Sequence, residues 1–215
     1  MAERKRNGIR KTREQALKRR TPELGYYIIV TDTAETEQNY MQGLRDSIPE
    51  TFRGRIVIKV VKSKTADLVD EAAGLAALYP QYGMIWIVFD RDEVKDFDRI
   101  IQQAEERGIR VGWTNPCIEE WFCAYFGSMP VYSGSVQCCE GFGHIFSRKT
   151  GQKYKKSDTL IYDKLNRFGN EAAAIKTAEE KLNGHKAGGK LRPSEQNPCT
   201  TLHLLVKELK DKTST

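Results

Sequence analysis

The chain has 215 residues, of which 39% are hydrophobic, and a formal net charge of +6. This length supports one sizeable core with a smaller appended region, and no apolar run approaches the roughly 20 residues of a membrane span. The basic N-terminus lacks the apolar segment of a secretory signal. An odd number of cysteines, five, favours reduced thiols and a cytoplasmic location over a disulfide framework.

The charges are distributed unevenly along the chain. Residues 1–20 carry nine Lys/Arg and two Glu, and residues 146–167 carry seven basic and two acidic side chains. Between them, residues 21–145 carry eleven basic and nineteen acidic side chains. An acidic body thus lies between basic segments, which suits a metal site flanked by surfaces that attract phosphate. Charge alone leaves two interpretations open, a nucleic-acid-binding surface and ordinary solvated tails.

Residues 1–23 are predicted to form a basic N-terminal arm. Short apolar runs rich in β-branched and aromatic residues then predict four buried strands, at residues 26–30, 55–61, 84–89 and 109–113. Helical patterns lie between them, from about Thr36 and at residues 65–79 and 97–107. This alternation predicts an α/β domain over residues 24–126, with a mostly parallel, Rossmann-like sheet flanked by helices.

The second half of the chain is predicted to be less regular. Asn115 is a candidate helix cap and Pro116 suits a first helical turn, so a helix should follow the fourth strand. Residues 127–158 are rich in Gly, Ser and Lys, which predicts a basic loop or excursion. Helical patterns at residues 159–167, 171–183 and 200–211 predict a helical C-terminal region over residues 159–215.

The main chemical signal is Asp90-Arg91-Asp92, directly after the third strand. Ligands bind at the carboxyl edge of parallel sheets, and an extended chain would project Asp90 and Asp92 to the same side. Two such carboxylates suit a hard, oxygen-seeking cation such as Mg²⁺ or Mn²⁺. In isolation, however, this pattern more often marks a turn or a helix cap.

A second acidic group supports the metal interpretation. Asp32, Glu35 and Glu37 follow the first strand, which can neighbour the third strand in a doubly wound sheet. Glu35 and Glu37 would also be ordinary charges at a helix N-terminus. Glu119 is a further candidate at the end of the fourth strand, with the same alternative.

The predicted basic loop offers a surface for nucleic acid. Its candidate contacts are Arg148, Lys149, Lys153, Lys155 and Lys156, with Tyr154 as an aromatic among the lysines. A solvated charge run explains these residues equally well.

Four segments, in order, resemble the RloB-like family. They are residues 30–40 (VTDTAETEQNY), 88–92 (VFDRD), 114–121 (TNPCIEEW) and 197–201 (NPCTT). The resemblance implies a Toprim-like fold whose metal is held by an acidic residue after the first strand and by the Asp-x-Asp of the third. On this chain, the residues that match are Asp32, Glu37, Asp90 and Asp92. The family pattern has Glu-Gly where this sequence has Asp32-Thr33, so the competence of the site stays open.

The resemblance also implies a role and a partner. RloB-like proteins resemble the Toprim partners of ABC-type ATPases in bacterial anti-phage and abortive-infection systems, and some relatives there are nucleases that act on tRNA. We therefore expect a Mg²⁺- or Mn²⁺-dependent nuclease that cleaves RNA or DNA, with Asp32, Glu37, Asp90, Asp92 and Glu119 as catalytic residues. The alternatives are a catalytically silent Toprim-like subunit that docks on an ATPase, and an adaptor that binds nucleic acid through its basic segments.

Overall fold

The computed structural model describes residues 24–32, 35–53, 56–78, 83–92 and 94–213. The predicted basic arm at residues 1–23 and Thr33 lie outside these ranges. The strands are β1 (Gly25–Thr31), β2 (Ile56–Lys62), β3 (Met84–Asp90), β4 (Arg110–Asn115) and β5 (Cys199–Thr200). The helices are α1 (Glu35–Asp46), α2 (Glu50–Arg53), α3 (Leu68–Leu78), α4 (Phe97–Glu106), α5 (Glu119–Ala124), α6 (Ser135–Thr150), α7 (Ile161–Phe168), α8 (Glu171–Ala187) and α9 (Leu202–Thr213), with short 3₁₀ turns at Thr65–Asp67 and Pro193–Glu195.

The five strands form one sheet in the order β2-β1-β3-β4-β5. The first four are parallel, and β5 adds a short antiparallel edge through Thr200 beside Thr114 and Cys199 beside Asn115. β1 and β3 are neighbours, as expected. This mostly parallel sheet, flanked by helices, confirms the predicted Toprim-like α/β fold.

The sheet is buried on both faces, which explains why its strands are apolar throughout. Alternate residues of β1 face opposite layers of the core: Tyr27 and Ile29 belong to one hydrophobic cluster, and Ile28 and Val30 belong to the other. The first cluster also contains residues of α9, so the C-terminal region packs onto the same core as the sheet.

The predicted loop at residues 127–158 is wrong in its central part, because α6 spans Ser135–Thr150. This helix buries Cys138, Phe142 and Phe146, which are four residues apart and therefore share one face. Gly141 does not break it: a Cβ there would lie 2.2 Å from the hydroxyl of Tyr132, so glycine permits a close packing contact. Burial of an aromatic stripe thus outweighs the low helix propensity of the local composition.

The predicted cap at Asn115 is also wrong. Asn115 is the last residue of β4, and its side-chain Nδ2 donates to the carbonyl oxygens of Pro193 at 3.2 Å and Ser194 at 3.3 Å. α5 begins later, at Glu119, and Ile118 precedes it without a side-chain cap. Asn115 therefore anchors a distant loop rather than the next helix.

Across the described ranges, none of the helices combines the length and the apolar character that crossing a membrane requires.

Candidate functional site

β1, β3 and β4 end side by side at one edge of the sheet. Thr31 pairs with Val88, and Asp90 pairs with Thr114. The ladder continues one step further, because the Asp32 backbone N–H donates to Val88 O at 3.2 Å. Parallel pairing therefore places Asp32 and Asp90 at the same carboxyl edge, where the sequence predicted an acidic site.

Helix α1 brings Glu37 into this edge. Glu37 lies in the first turn of α1 and is only 2% exposed. Its carboxyl group and that of Asp90 lie close enough for each to influence the pKa of the other. Ile118 N–H fixes the orientation of Asp90 by donating to its Oδ2 at 2.8 Å.

The surroundings disfavour charge on both members of this pair. Burial and, after it, the nearby charges of Asp32 and Glu119 raise the pKa of Glu37 to about 7. Burial, followed by the charge of Glu37, holds the pKa of Asp90 well above its usual range. Like charges held together in a buried site are stabilised when a cation joins them.

The residues at this edge fit a hard divalent cation by donor type. All four carboxylates that matched the metal-binding pattern offer oxygen ligands, as Mg²⁺ and Mn²⁺ prefer. Among the described residues, Glu37 Oε2 is buried without a hydrogen-bond partner, and so is the nearby Thr31 Oγ1. A buried carboxylate oxygen without a partner is costly, and a bound cation would satisfy it.

The ligand set is not preassembled, however. Among the residues that the structure describes, no group of three or more His, Cys, Asp or Glu side chains stands in an arrangement that could hold a metal ion. The donor chemistry is thus present, and a cation would have to draw the carboxylates closer together.

Glu119 belongs to the same group of acids. It is 1% exposed at the start of α5, and its charge contributes to the raised pKa of Glu37. Its Oε1 accepts hydrogen bonds from Tyr154 Oη at 2.8 Å and Cys139 Sγ at 3.2 Å, and Lys156 Nζ lies 3.9 Å away. We call Asp32, Glu37, Asp90 and Glu119 the carboxylate cluster.

Asp92 lies apart from this cluster. The chain is not extended there: Asp92 has a φ of 30°, and its backbone N–H donates to Pro116 O at 2.9 Å. Aspartate is one of the few residue types that tolerate this left-handed region. Its exposed side chain lines a cavity against α6. The expected same-side arrangement of Asp90 and Asp92 therefore does not apply.

The five predicted nucleic-acid contacts are all exposed. Arg148 and Lys149 lie in the last turn of α6, and Lys153, Lys155 and Lys156 follow it. Lys156 is the one that reaches the carboxylate cluster, through Glu119. Nucleic-acid binding by these residues stays a prediction.

Sequence reasoning missed Cys139 and the link from Tyr154 to Glu119, because both depend on α6, which was predicted to be a loop. All five cysteines are free, as expected for reduced thiols. Glu120, next to Glu119, is a buried acid outside the cluster: its Oε2 accepts a hydrogen bond from Cys138 Sγ at 3.5 Å, its Oε1 has no partner among the described residues, and burial raises its pKa to about 8. Glu120 therefore provides a control for the cluster.

The fold and this edge define a Toprim-like α/β protein with buried carboxylates at the carboxyl end of its sheet. A family model described as RloB-like protein matches residues 27–209. Because the match spans most of the chain, the protein belongs to the RloB-like family, as the four sequence segments predicted. No curated protein and no solved structure matches the chain.

Proposed function

We propose that this protein is a divalent-metal-dependent nuclease that acts as the effector of a bacterial anti-phage defence system. The observation that carries the proposal is the pair of buried acids, Glu37 and Asp90, at the carboxyl edge of the sheet, where Glu37 Oε2 has no hydrogen-bond partner among the described residues. Buried acids of this kind cost stability, and well-packed apolar residues would be more stable in their place. They are therefore expected where they serve a function.

Asp32, Glu37, Asp90 and Asp92 would hold Mg²⁺ or Mn²⁺. When bound, the metal would supply Lewis-acid polarisation of a phosphate and activation of a water molecule for phosphodiester hydrolysis. Asp92 would have to reach the ion from its exposed position, so its part in the ligand set is the least constrained by the fold.

The side chains of the protein supply the remaining requirements. Ile118 N–H holds the Asp90 carboxylate in one orientation. Without a metal, Glu37 has a pKa near neutrality, so binding of a cation would release its proton. Lys156 places a positive charge beside the acids, where an anionic phosphate would otherwise be repelled. The other four predicted contacts, Arg148, Lys149, Lys153 and Lys155, would attract the rest of the nucleic-acid backbone.

The biological role rests on the family. RloB-like proteins resemble Toprim partners of ABC-type ATPases, so we propose such an ATPase as the partner and RloB-like defence as the context. tRNA is the first substrate to test, with DNA as the second.

Cleavage of tRNA, single-stranded RNA and DNA in Mg²⁺ or Mn²⁺ tests the proposal. Asp90→Asn keeps the shape of the side chain and removes its charge, so cleavage should fall at least about 100-fold. Glu120→Gln removes an equally buried acid outside the cluster and should cleave like the wild type. Equal activity of wild type and Asp90→Asn would overturn the site, and a similar loss in Glu120→Gln would indicate damage to the fold instead.

The silent Toprim-like subunit is the second candidate. It is favoured by Asp32, which stands where the family pattern has a longer Glu, and by the lack of a preassembled ligand group in the described ranges. Calorimetric titration with Mn²⁺ separates the two: heat that disappears in Asp90→Asn supports the nuclease, and no heat with the wild type supports the silent subunit.

A further inference from the structure

An open cavity of about 690 Å³ lies beside the carboxylate cluster. One wall is the exposed face of α6, with Val136, Cys139 and Gly143. The opposite wall is the segment after that helix, which contributes Lys153, Tyr154 and Lys156, and Asp92 borders the cavity as well. Its volume falls in the roughly 300–1,000 Å³ range of small-molecule sites.

The cavity is connected to the carboxylate cluster by hydrogen bonds. Tyr154 and Cys139, one from each wall, both donate to Glu119 Oε1. The Lys156 backbone carbonyl accepts a hydrogen bond from Thr36 Oγ1 at 3.3 Å, which ties the same wall to the first turn of α1. A group bound in the cavity would therefore lie next to the acids.

The lining suits a flat, partly apolar group that carries a phosphate. Val136 is 73% exposed, and a Cβ added at Gly143 would meet no atom within 4 Å, so this wall offers an apolar contact with room beside it, next to the polar side chains of Glu140 and His144. Two lysines, Lys153 and Lys156, stand on the other wall, where they can pair with phosphate oxygens.

We propose that this cavity receives one unpaired base of the strand that is cleaved. The inference rests on the proposed nuclease function and adds the substrate class: a single strand, loop or end rather than an intact duplex. A base in a duplex is stacked and paired, so it would have to be extruded before it could enter. The lysines would hold the phosphates on either side of that base while the cavity holds its ring.

Gly143→Leu tests the proposal by filling the cavity. The substitution has open space in front of it and raises helix propensity, so the fold should be preserved. Gly184→Leu is the matched control, because Gly184 also lies in a helix, α8, and a Cβ there also meets nothing within 4 Å. Thermal unfolding of both variants checks that they fold.

Binding is measured by fluorescence anisotropy with a labelled single-stranded RNA, its duplex and the same strand with abasic positions, all in EDTA. We expect Gly143→Leu to weaken single-strand binding about tenfold or more and to leave the weaker duplex binding unchanged. Gly184→Leu should bind like the wild type. The loss of affinity caused by Gly143→Leu should largely vanish with the abasic strand, because the substitution and the missing base remove the same contact.

Equal single-strand affinity of wild type and Gly143→Leu would overturn the inference. So would a Gly143→Leu effect seen only with free AMP, GMP, CMP or UMP, since the cavity would then serve a free nucleotide instead of a strand. The binding assay contains no metal, so its result does not depend on catalysis. A protein that fails to cleave would contradict the proposed nuclease function and would leave the binding result unchanged. Cleavage by a wild type whose single-strand binding is insensitive to Gly143→Leu contradicts only the inference about the cavity.

Discussion

Helix α1 contributes to two buried polar clusters that are built in opposite ways. Glu37 enters the carboxylate cluster, while Tyr40, three residues later, enters what we call the tyrosine cluster, which consists of Tyr40, Tyr125, Tyr162, Glu171 and Lys210. In the latter, the hydroxyls of Tyr40 and Tyr125 are 2.7 Å apart. Tyr125 and Tyr162 donate to Glu171 Oε1 at 3.1 and 2.9 Å, and Lys210 Nζ lies 3.0 Å from Glu171 Oε2.

The difference lies in how each cluster satisfies its polar atoms. The tyrosine cluster has one carboxylate, and that carboxylate faces both hydroxyl donors and an ammonium group. The carboxylate cluster gathers four acids, with Lys156 beside Glu119, and Glu37 Oε2 has no hydrogen-bond partner among the described residues. A satisfied buried network stabilises and specifies the fold, whereas an unsatisfied one costs stability and marks a site that awaits a ligand.

The largest expected effect on stability comes from breaking the satisfied cluster. Glu171→Ala removes the acceptor of two tyrosine hydroxyls and the partner of Lys210, so the free energy of unfolding should fall by about 3 kcal/mol. Urea denaturation measures this. Glu180→Ala, on the exposed side of the same helix, should change it by less than about 0.5 kcal/mol. Comparable losses in the two variants would contradict the contrast between the clusters.

Removing an acid from the carboxylate cluster is expected to raise the free energy of unfolding, by an amount that depends on pH. The pKa of Glu37 is raised from 4.5 to about 7 in the folded protein. The folded state therefore binds the Glu37 proton more tightly than the unfolded state, and this contribution to stability is lost as the pH rises through about 7. Glu37→Gln should thus be more stable than the wild type by up to about 3 kcal/mol near pH 8, and nearly equal in stability near pH 4.5.

Unfolding free energies across this pH range test the prediction. Glu120→Gln serves as the control: burial raises the pKa of Glu120 to about 8, so its gain should also begin above about pH 4.5 but should continue to grow until about one pH unit higher. A gain from Glu37→Gln that does not change with pH would mean that something other than proton binding destabilises this edge.

The smallest effect on stability is expected at Lys156, at the exposed edge of the carboxylate cluster. Lys156 is 60% exposed and its nitrogen lies 3.9 Å from Glu119, so Lys156→Ala should cost less than about 0.5 kcal/mol. Its effect should appear in binding instead, where the slope of log affinity against log salt should fall by about 1. Lys176→Ala, on α8, should leave that slope unchanged, and a variant of Lys156 with the wild-type slope would remove this lysine from the phosphate contacts.

The sheet was predictable because its determinants are local. Runs such as residues 84–89 are apolar throughout, which indicates a strand covered on both faces, and strand alternation with helices indicates parallel pairing. The neighbouring positions of Asp32 and Asp90 then follow from topology. These arguments needed no knowledge of long-range side-chain contacts.

The rest of the site depends on such contacts. α6 is held by packing between distant aromatic residues: Phe142 contacts Phe122 with ring centroids 5.4 Å apart and Tyr154 at 4.7 Å. The residues that surround Glu119 come from this helix and the segment after it, so no periodicity in the sequence could have assigned them. The turn at Asp92 was likewise hidden, because its φ of 30° depends on the backbone contact with Pro116.

The antiparallel edge strand β5 and helix α9 determine when the fold can be completed as the chain is synthesised. Thr201 N–H donates to Trp113 O, and Leu202, Leu205 and Leu209 fill the core on one side of the sheet. Lys212 Nζ reaches Leu24 O, at the start of β1. A nascent chain therefore holds every acid of the carboxylate cluster long before it has the residues that close the core around them. Since residues 199–213 emerge from the ribosome last among these parts, the sheet edge is completed only after the whole domain has been translated.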